Sequence, residues 1–97
     1  MNVRYNKFVQ RDVNEIRDHD TRESGPERAD EFFAELMKTI HLAAADPTRY
    51  HTAEGGLRRA NLKRFPFHIL YRIRPGYIRI NVVKHHKRHP SFGLRRK

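Results

Sequence analysis

Between Arg58 and Lys84 the chain is punctuated by Pro66 and by Pro75-Gly76 into three short runs, Arg59 to Phe65, Phe67 to Arg74 and Tyr77 to Lys84. Alternate residues of the second and third runs differ in kind, as half-buried strands require. Phe67, Ile69, Tyr71 and Ile73, then Ile78, Ile80 and Val82, make a core face. His68, Leu70, Arg72 and Arg74, then Tyr77, Arg79, Asn81 and Val83, make a polar and cationic one. Pro75-Gly76 suits the centre of a type II turn, because proline sets the first φ and glycine supplies the positive second. A two-residue hairpin then sets Arg74 opposite Tyr77 and Arg72 opposite Arg79, although the usual preference for primed turns leaves a longer loop and another register open. Like charges facing each other are unfavourable unless water, a carboxylate or an anion lies between them. Arg72 and Arg79 are therefore either two solvated guanidiniums or part of an anion or acidic-partner site.

A chain of 97 residues supplies one modest core, so a single domain over residues 1–97 is expected. It has no cysteine, which excludes disulfides and thiolate metal sites. No apolar run reaches membrane-spanning length, and MNVRYNKF lacks the apolar stretch of a signal peptide. The expectation is a cytoplasmic protein with no membrane association. The net charge of +10 favours a polyanionic partner, either nucleic acid or an acidic protein.

Val3 to Val9 nearly alternates and is expected to be an edge or pairing strand. Asp12 with Glu15 has capping-box spacing for a helix over Asp12 to Arg22, anchored only by Val13 and Ile16. Ser24 with Glu27, and Pro26 just inside, open a second helix. Its stripe of Ala29, Phe33, Leu36, Ile40 and Ala43, widened by Phe32 and Met37, should pack on the sheet, and Asp46-Pro47 ends it. Pro47 to Leu57 reads as a loop, and Lys87 to Lys97 as a solvated basic tail or, alternatively, one that touches nucleic acid through phosphate charge. The resulting fold class is α+β, ordered β-α-α-β-β-β, with an N-terminal helical hairpin on one face of a small, mostly antiparallel sheet.

Arg58-Arg59, Leu62 and Phe65-Pro66-Phe67, followed by Ile69 and Tyr71, resemble the core signature of the RelE/ParE superfamily of bacterial toxins. Val82-Val83, His85, Arg88 and Pro90 resemble that family's terminal H-x-x-R-x-P element. Phe32, Phe33 and Pro47 extend the likeness over nearly the whole chain, and it is greatest to the ParE-like branch of plasmid-stabilisation proteins. The resemblance implies a RelE/ParE-like fold, a growth-arresting toxin, and a cognate antitoxin whose acidic C-terminal segment wraps the helical hairpin and sheet. It implies either of two targets. ParE proper poisons DNA gyrase, whereas another branch cleaves messenger RNA on the ribosome.

Metal-free RNA cleavage needs a base for the 2′-hydroxyl proton, an acid for the leaving oxygen and cations around the phosphorane. Arg58, Arg72, Arg79 and Arg88 are expected to converge on the polar sheet face. His85 is the proton-transfer candidate, because an imidazole titrates near neutrality; its alternative role is a structural bond to neighbouring backbone. If the chain is a ribonuclease, its catalytic set is Arg58, Arg79, His85 and Arg88. Contacts to target or antitoxin fall to Arg59, His68, Arg72, Arg74 and His86. Ribonucleases of the family often carry a C-terminal tyrosine, where Phe92 has no hydroxyl, and Gly93 stands where relatives often have tryptophan. His85, His86 and His89 have no acidic or thiol neighbour in sequence, so no metal and no cofactor are expected. A non-toxic nucleic-acid-binding module is the third reading.

Overall fold

The computed structural model describes residues 1–96. Strand β1 (Asn2–Tyr5) leads into helices α1 (Val9–Ser24) and α2 (Pro26–Ala45). Strands β2 (Arg58–Asn61), β3 (Phe67–Arg74) and β4 (Tyr77–His85) follow. They form one four-stranded sheet in the order β1-β4-β3-β2. The β-α-α-β-β-β order is the one expected. The sheet is mixed, since β1 runs parallel to β4 while β2, β3 and β4 are antiparallel. The β3–β4 hairpin pairs Arg74 with Tyr77 and Arg72 with Arg79, with Gly76 at φ 81° supplying the positive torsion of the turn.

The helices cover one side of the sheet. Phe32 is fully buried and meets Phe65 and Phe67 edge-on, at centroid distances of 5.9 and 5.1 Å. Val13, Leu36, Ile40, Ile69, Tyr71, Ile78, Ile80 and Val83 complete this core. Phe33, expected in the stripe, is instead 37% exposed, because the buried face of α2 is centred on Phe32, Leu36, Ile40 and Ala43. A second, smaller core of Leu57, Leu70 and Val82 lies on the other side of the sheet, beneath Phe92 and Leu94.

That second core corrects the expected alternation. Leu70 pairs with Val82 and Tyr71 with Ile80, so Asn81 is an extra residue, a β-bulge in β4. Beyond it the faces exchange. Val82 joins the smaller core and Val83 the larger one.

Other boundaries move for local reasons. Strand β1 ends at Tyr5 because the Asn6 side chain accepts the Phe8 N–H at 3.0 Å and turns the chain into α1 at Val9. Asp12 is thus an interior, buried residue of α1, not its cap. Ser24 is the last residue of α1, and Gly25 alone joins the helices, so the expected Ser24–Glu27 box does not form. Strand β2 ends at Asn61 rather than Phe65. Leu62 and Phe65 both enter the larger core, and residues three apart on a strand would face opposite ways. In the tail, Lys87 to Ser91 and Arg95 are exposed as expected, whereas Phe92 to Leu94 and Arg96 are packed rather than solvated. Leu94 sits on the smaller core and Arg96 is ion-paired.

Phe32→Ala is expected to cost about 3–5 kcal/mol and Ile80→Ala about 2–5 kcal/mol through lost packing. Phe33→Ala should stay within about 1 kcal/mol, as surface substitutions do. Urea unfolding of the three variants measures the difference.

Candidate functional site

The strands aim their side chains alternately, so His68 of β3 and Arg59 and Asn61 of β2 project from the side opposite the helices. The His68 ring, 1% exposed, stacks on that of His86 at a centroid distance of 5.2 Å and an interplanar angle of 18°. Their Nδ1 atoms are 2.9 Å apart, and Arg59 Nη2 lies 3.2 Å from the same His86 nitrogen. A guanidinium only donates, so His86 Nδ1 must be the acceptor and His68 Nδ1 the N–H donor. The remaining nitrogen of His68, Nε2, is an acceptor that is buried without a hydrogen-bond partner. Burial first, then Arg59 and His86, push the His68 pKa down to about 3. His86 is lowered in the same direction by burial and by Arg59. This pair is neutral at pH 7 and a weak base.

Lys84 extends this cluster without being available to a ligand. Its Nζ donates to the carbonyls of Pro90 at 3.0 Å, Phe92 at 3.2 Å and His89 at 3.4 Å, pinning the tail across the sheet. Burial lowers its pKa. The Phe92 ring lies beneath the guanidiniums of Arg88 and Arg96, at 3.9 and 5.0 Å. Gly93 has φ 81°, and a Cβ on it would come within 2.7 Å of Val82 Cγ2, so no side chain fits there. Positions 92 and 93 are therefore a packed ring and a sterically required glycine.

The bulge puts His85 on the helix side. Its ring meets Phe67 edge-on at 5.0 Å, and its Nδ1 accepts the Lys87 N–H at 2.9 Å, the structural bond weighed above. With Arg88, Glu15 and His19 it lines a cleft of 220 Å³ beside α1. Arg58 is also on the helix side, level with Tyr71, and donates to the carbonyls of Tyr50 at 2.6 Å and Thr48 at 3.3 Å. Arg79 faces the other way, paired with Arg72. His85 lies six positions along β4 from Arg79, about 20 Å. The expected convergence of Arg58, Arg72, Arg79 and Arg88 is thus corrected: Arg72 and Arg79 are neighbours on the open face, Arg58 is not on it, and Arg88 lies beyond the far end of β4. The contact set divides likewise. Arg59, His68 and His86 form one cluster, while Arg72 and Arg74 lie at the hairpin end.

Two features escape sequence reading altogether. One is the buried pair of Asp12 and Arg96, at 2.6 and 2.8 Å, whose carboxylate also accepts the Val83 N–H at 3.2 Å. The other is an apolar groove of 440 Å³ between α1 and α2, lined by Tyr5, Val9, Val13, Phe33 and Met37. No sequence signal marks the groove, because the adjacent Phe32 and Phe33 both read as members of the apolar stripe. No described helix is long and apolar enough to cross a membrane.

No family model matches the sequence, and no curated protein does. Among solved structures, a chain of the chromosomal ParDE TA (toxin–antitoxin) system from P. aeruginosa is similar in fold. The TM-score is 0.79 at 22% sequence identity, covering 88% of this chain and 95% of that chain. The architecture is accordingly the RelE/ParE-like α+β fold that the sequence resemblance implied.

Two outcomes follow for stability. The His68 pKa is depressed in the folded state, so the unfolded chain takes up the proton first. Stability is full above pH 6.5 and falls as pH drops toward 3, by up to about 1.4 kcal/mol per unit. His68→Phe should flatten that profile in denaturation measured between pH 7 and 4. Asp12→Ala should cost about 3–5 kcal/mol, because it leaves a buried guanidinium without its counter-charge.

Proposed function

We propose that this chain is the toxin of a ParDE-like toxin–antitoxin pair, arresting growth by inhibiting DNA gyrase and silenced by an acidic antitoxin. The backbone likeness to the ParDE chain over nearly the whole of both molecules carries this reading. Charge supports the partner. The net charge is +10, and every Asp and Glu lies between Asp12 and Glu54, which leaves all four strands without an acidic residue. An acidic segment complements such a sheet, and it can be disordered until it binds. The groove beside Phe33, on the helix side, offers the same segment apolar anchorage.

The gyrase reading is favoured over ribosome-dependent RNA cleavage by the dispersal of the groups cleavage requires. Arg79 and His85 stand on opposite faces about 20 Å apart. Of the two histidines on the cationic side, His68 is held neutral with its pKa at about 3, and burial and Arg59 lower that of His86 as well. Phe92 has no proton to give. Plasmid stabilisation and action in the cytoplasm belong to the same reading.

Induced expression without a neighbouring short acidic reading frame is expected to stop growth, and co-expression of that frame to restore it. Purified protein should block gyrase supercoiling while messages from arrested cells stay intact. Cuts inside translated messages by primer extension, with normal supercoiling, would replace this reading with the ribonuclease one. Arg59→Ala should raise the concentration needed for inhibition about tenfold, the loss of one charge-assisted hydrogen bond to the target, and should also lower the unfolding midpoint slightly, since the guanidinium is paired with Glu54 and bonded to Asn61 and His86.

A further inference from the structure

The chain has two serines, Ser24 and Ser91. Ser24 is exposed at the end of α1, whereas the Ser91 hydroxyl lies 2.8 Å from His89 Nδ1. The Ser91 backbone N–H donates to the same nitrogen at 3.1 Å. An amide N–H only donates, so His89 Nδ1 is the acceptor, the proton of the neutral ring is on Nε2, and the hydroxyl is the second donor. A nucleophile and a base are therefore in hydrogen-bond contact. The turn that holds them is tied down. Pro90 fixes its own φ, the Phe92 N–H closes the turn on the His89 carbonyl at 2.9 Å, and Lys84 Nζ donates to the carbonyls of His89 and Pro90. Ser91 opens on a groove of 580 Å³ whose walls include Phe8, Phe92, Arg11, Arg95 and Arg96. Arg96 is committed to Asp12, Arg11 lies 4.9 Å over the Phe8 ring, and Arg95 is exposed. Among the described residues no carboxylate lines the groove.

We propose that Ser91 is a nucleophile activated by His89 and that it accepts a phosphoryl group from a small acyl phosphate. In the transfer, Ser91 Oγ attacks phosphorus. The Oγ–P bond forms as the bond from phosphorus to the acyl oxygen breaks, the hydroxyl proton passes to His89 Nδ1, and a carboxylate leaves with the bonding electrons. Arg11 and Arg95 supply positive charge to the phosphoryl oxygens, as cationic clamps do in phosphoryl transfer. The leaving group decides the class of donor. A carboxylate departs without a proton, which suits a site whose one imidazole is already occupied with the nucleophile's own. A nucleoside triphosphate calls for a divalent cation held by carboxylates, and this groove offers none. The product, a phosphoserine, carries up to about two negative charges and sets them against the arginines of the groove. The site lies on the tail and is independent of the toxin reading.

The test is incubation of the full chain with acetyl phosphate, followed by tryptic peptide mass spectrometry over a time course. Cleavage after Arg88 and Arg95 releases residues 89–95, which contain both His89 and Ser91. Phosphoserine survives acid and phosphohistidine does not, so acid treatment separates the two. The expected result is an acid-stable phosphoryl group on Ser91, gained about a hundredfold faster than on Ser24, the low end of what a positioned base contributes. His89→Gln should remove that advantage, and Arg95→Gln should slow the reaction about tenfold, as for one charge-assisted hydrogen bond. Both positions are exposed, so circular dichroism of these variants should match the parent. If a variant does not fold, the comparison of Ser91 with Ser24 in the unaltered chain decides alone. Equal rates at the two serines, or an unchanged Ser91 rate in His89→Gln, overturn the site. An acid-labile phosphoryl group on the 89–95 peptide makes His89 the acceptor and overturns the assignment to Ser91. An acetyl group on Ser91 in place of the phosphoryl group overturns the reaction proposed.

Discussion

One carboxylate holds the two ends of this fold together. Asp12 sits inside α1, accepts the Val83 N–H immediately after the β4 bulge, and receives both terminal nitrogens of Arg96. Arg96 in turn donates to the carbonyl of Asn81, the bulge residue itself. A bulge leaves backbone groups unpaired in the ladder, and buried unpaired groups are costly. Here the N-terminal helix and the C-terminal tail supply the missing partners, and each is fixed in place by doing so. Buried ion pairs seldom add much net stability, but they are expensive to break on one side. The arrangement therefore acts as a specification of geometry more than as a source of free energy.

The tail that Arg96 anchors covers the smaller core, and its presence explains why the open side of the sheet is not uniformly open. Lys84, near the end of β4, spends its three protons on carbonyls of that tail. The cationic character of the face is left to two separate groups: Arg59 with the stacked imidazoles at one end, and Arg72, Arg79 and Arg74 toward the hairpin at the other. The acids of the chain all reside on the helices and the loop after them. The molecule is thus charged asymmetrically, with its positive side on the sheet, and such a field orients an approaching polyanion before contact is made.

Much of this was legible in the chain. Pro66 and Pro75-Gly76 delimit β3, β4 and their hairpin, and the pairing of Arg72 with Arg79 follows from the two-residue turn alone. The helices announce themselves through Pro26, Asp46-Pro47 and the apolar stripe. What could not be read depends on distant partners. Asp12 with Glu15 satisfies a local capping rule, yet the carboxylate is taken by Val83 and Arg96, more than seventy residues on. Phe32 and Phe33 are adjacent, and only the angle at which α2 meets β3 decides that Phe32 enters the core. Arg58 and Arg59 look equivalent in sequence, but β2 turns one to the loop carbonyls of Thr48 and Tyr50 and the other to His86. The two apolar residues Val82-Val83 fit either face, so alternation gives no warning of the bulge that separates them.

That bulge also acts as a selector. Side chains on a strand alternate with a period of two, so one additional residue at Asn81 exchanges the faces of everything after it. It is the reason His85 looks toward α1 and Phe67 while His86 stacks on His68. Deleting that single position would send His85 to the stack and His86 to the helix cleft, leaving composition almost unchanged. The adjacent imidazoles, indistinguishable in chemistry, thus owe their separate surroundings to the counting of one backbone unit upstream.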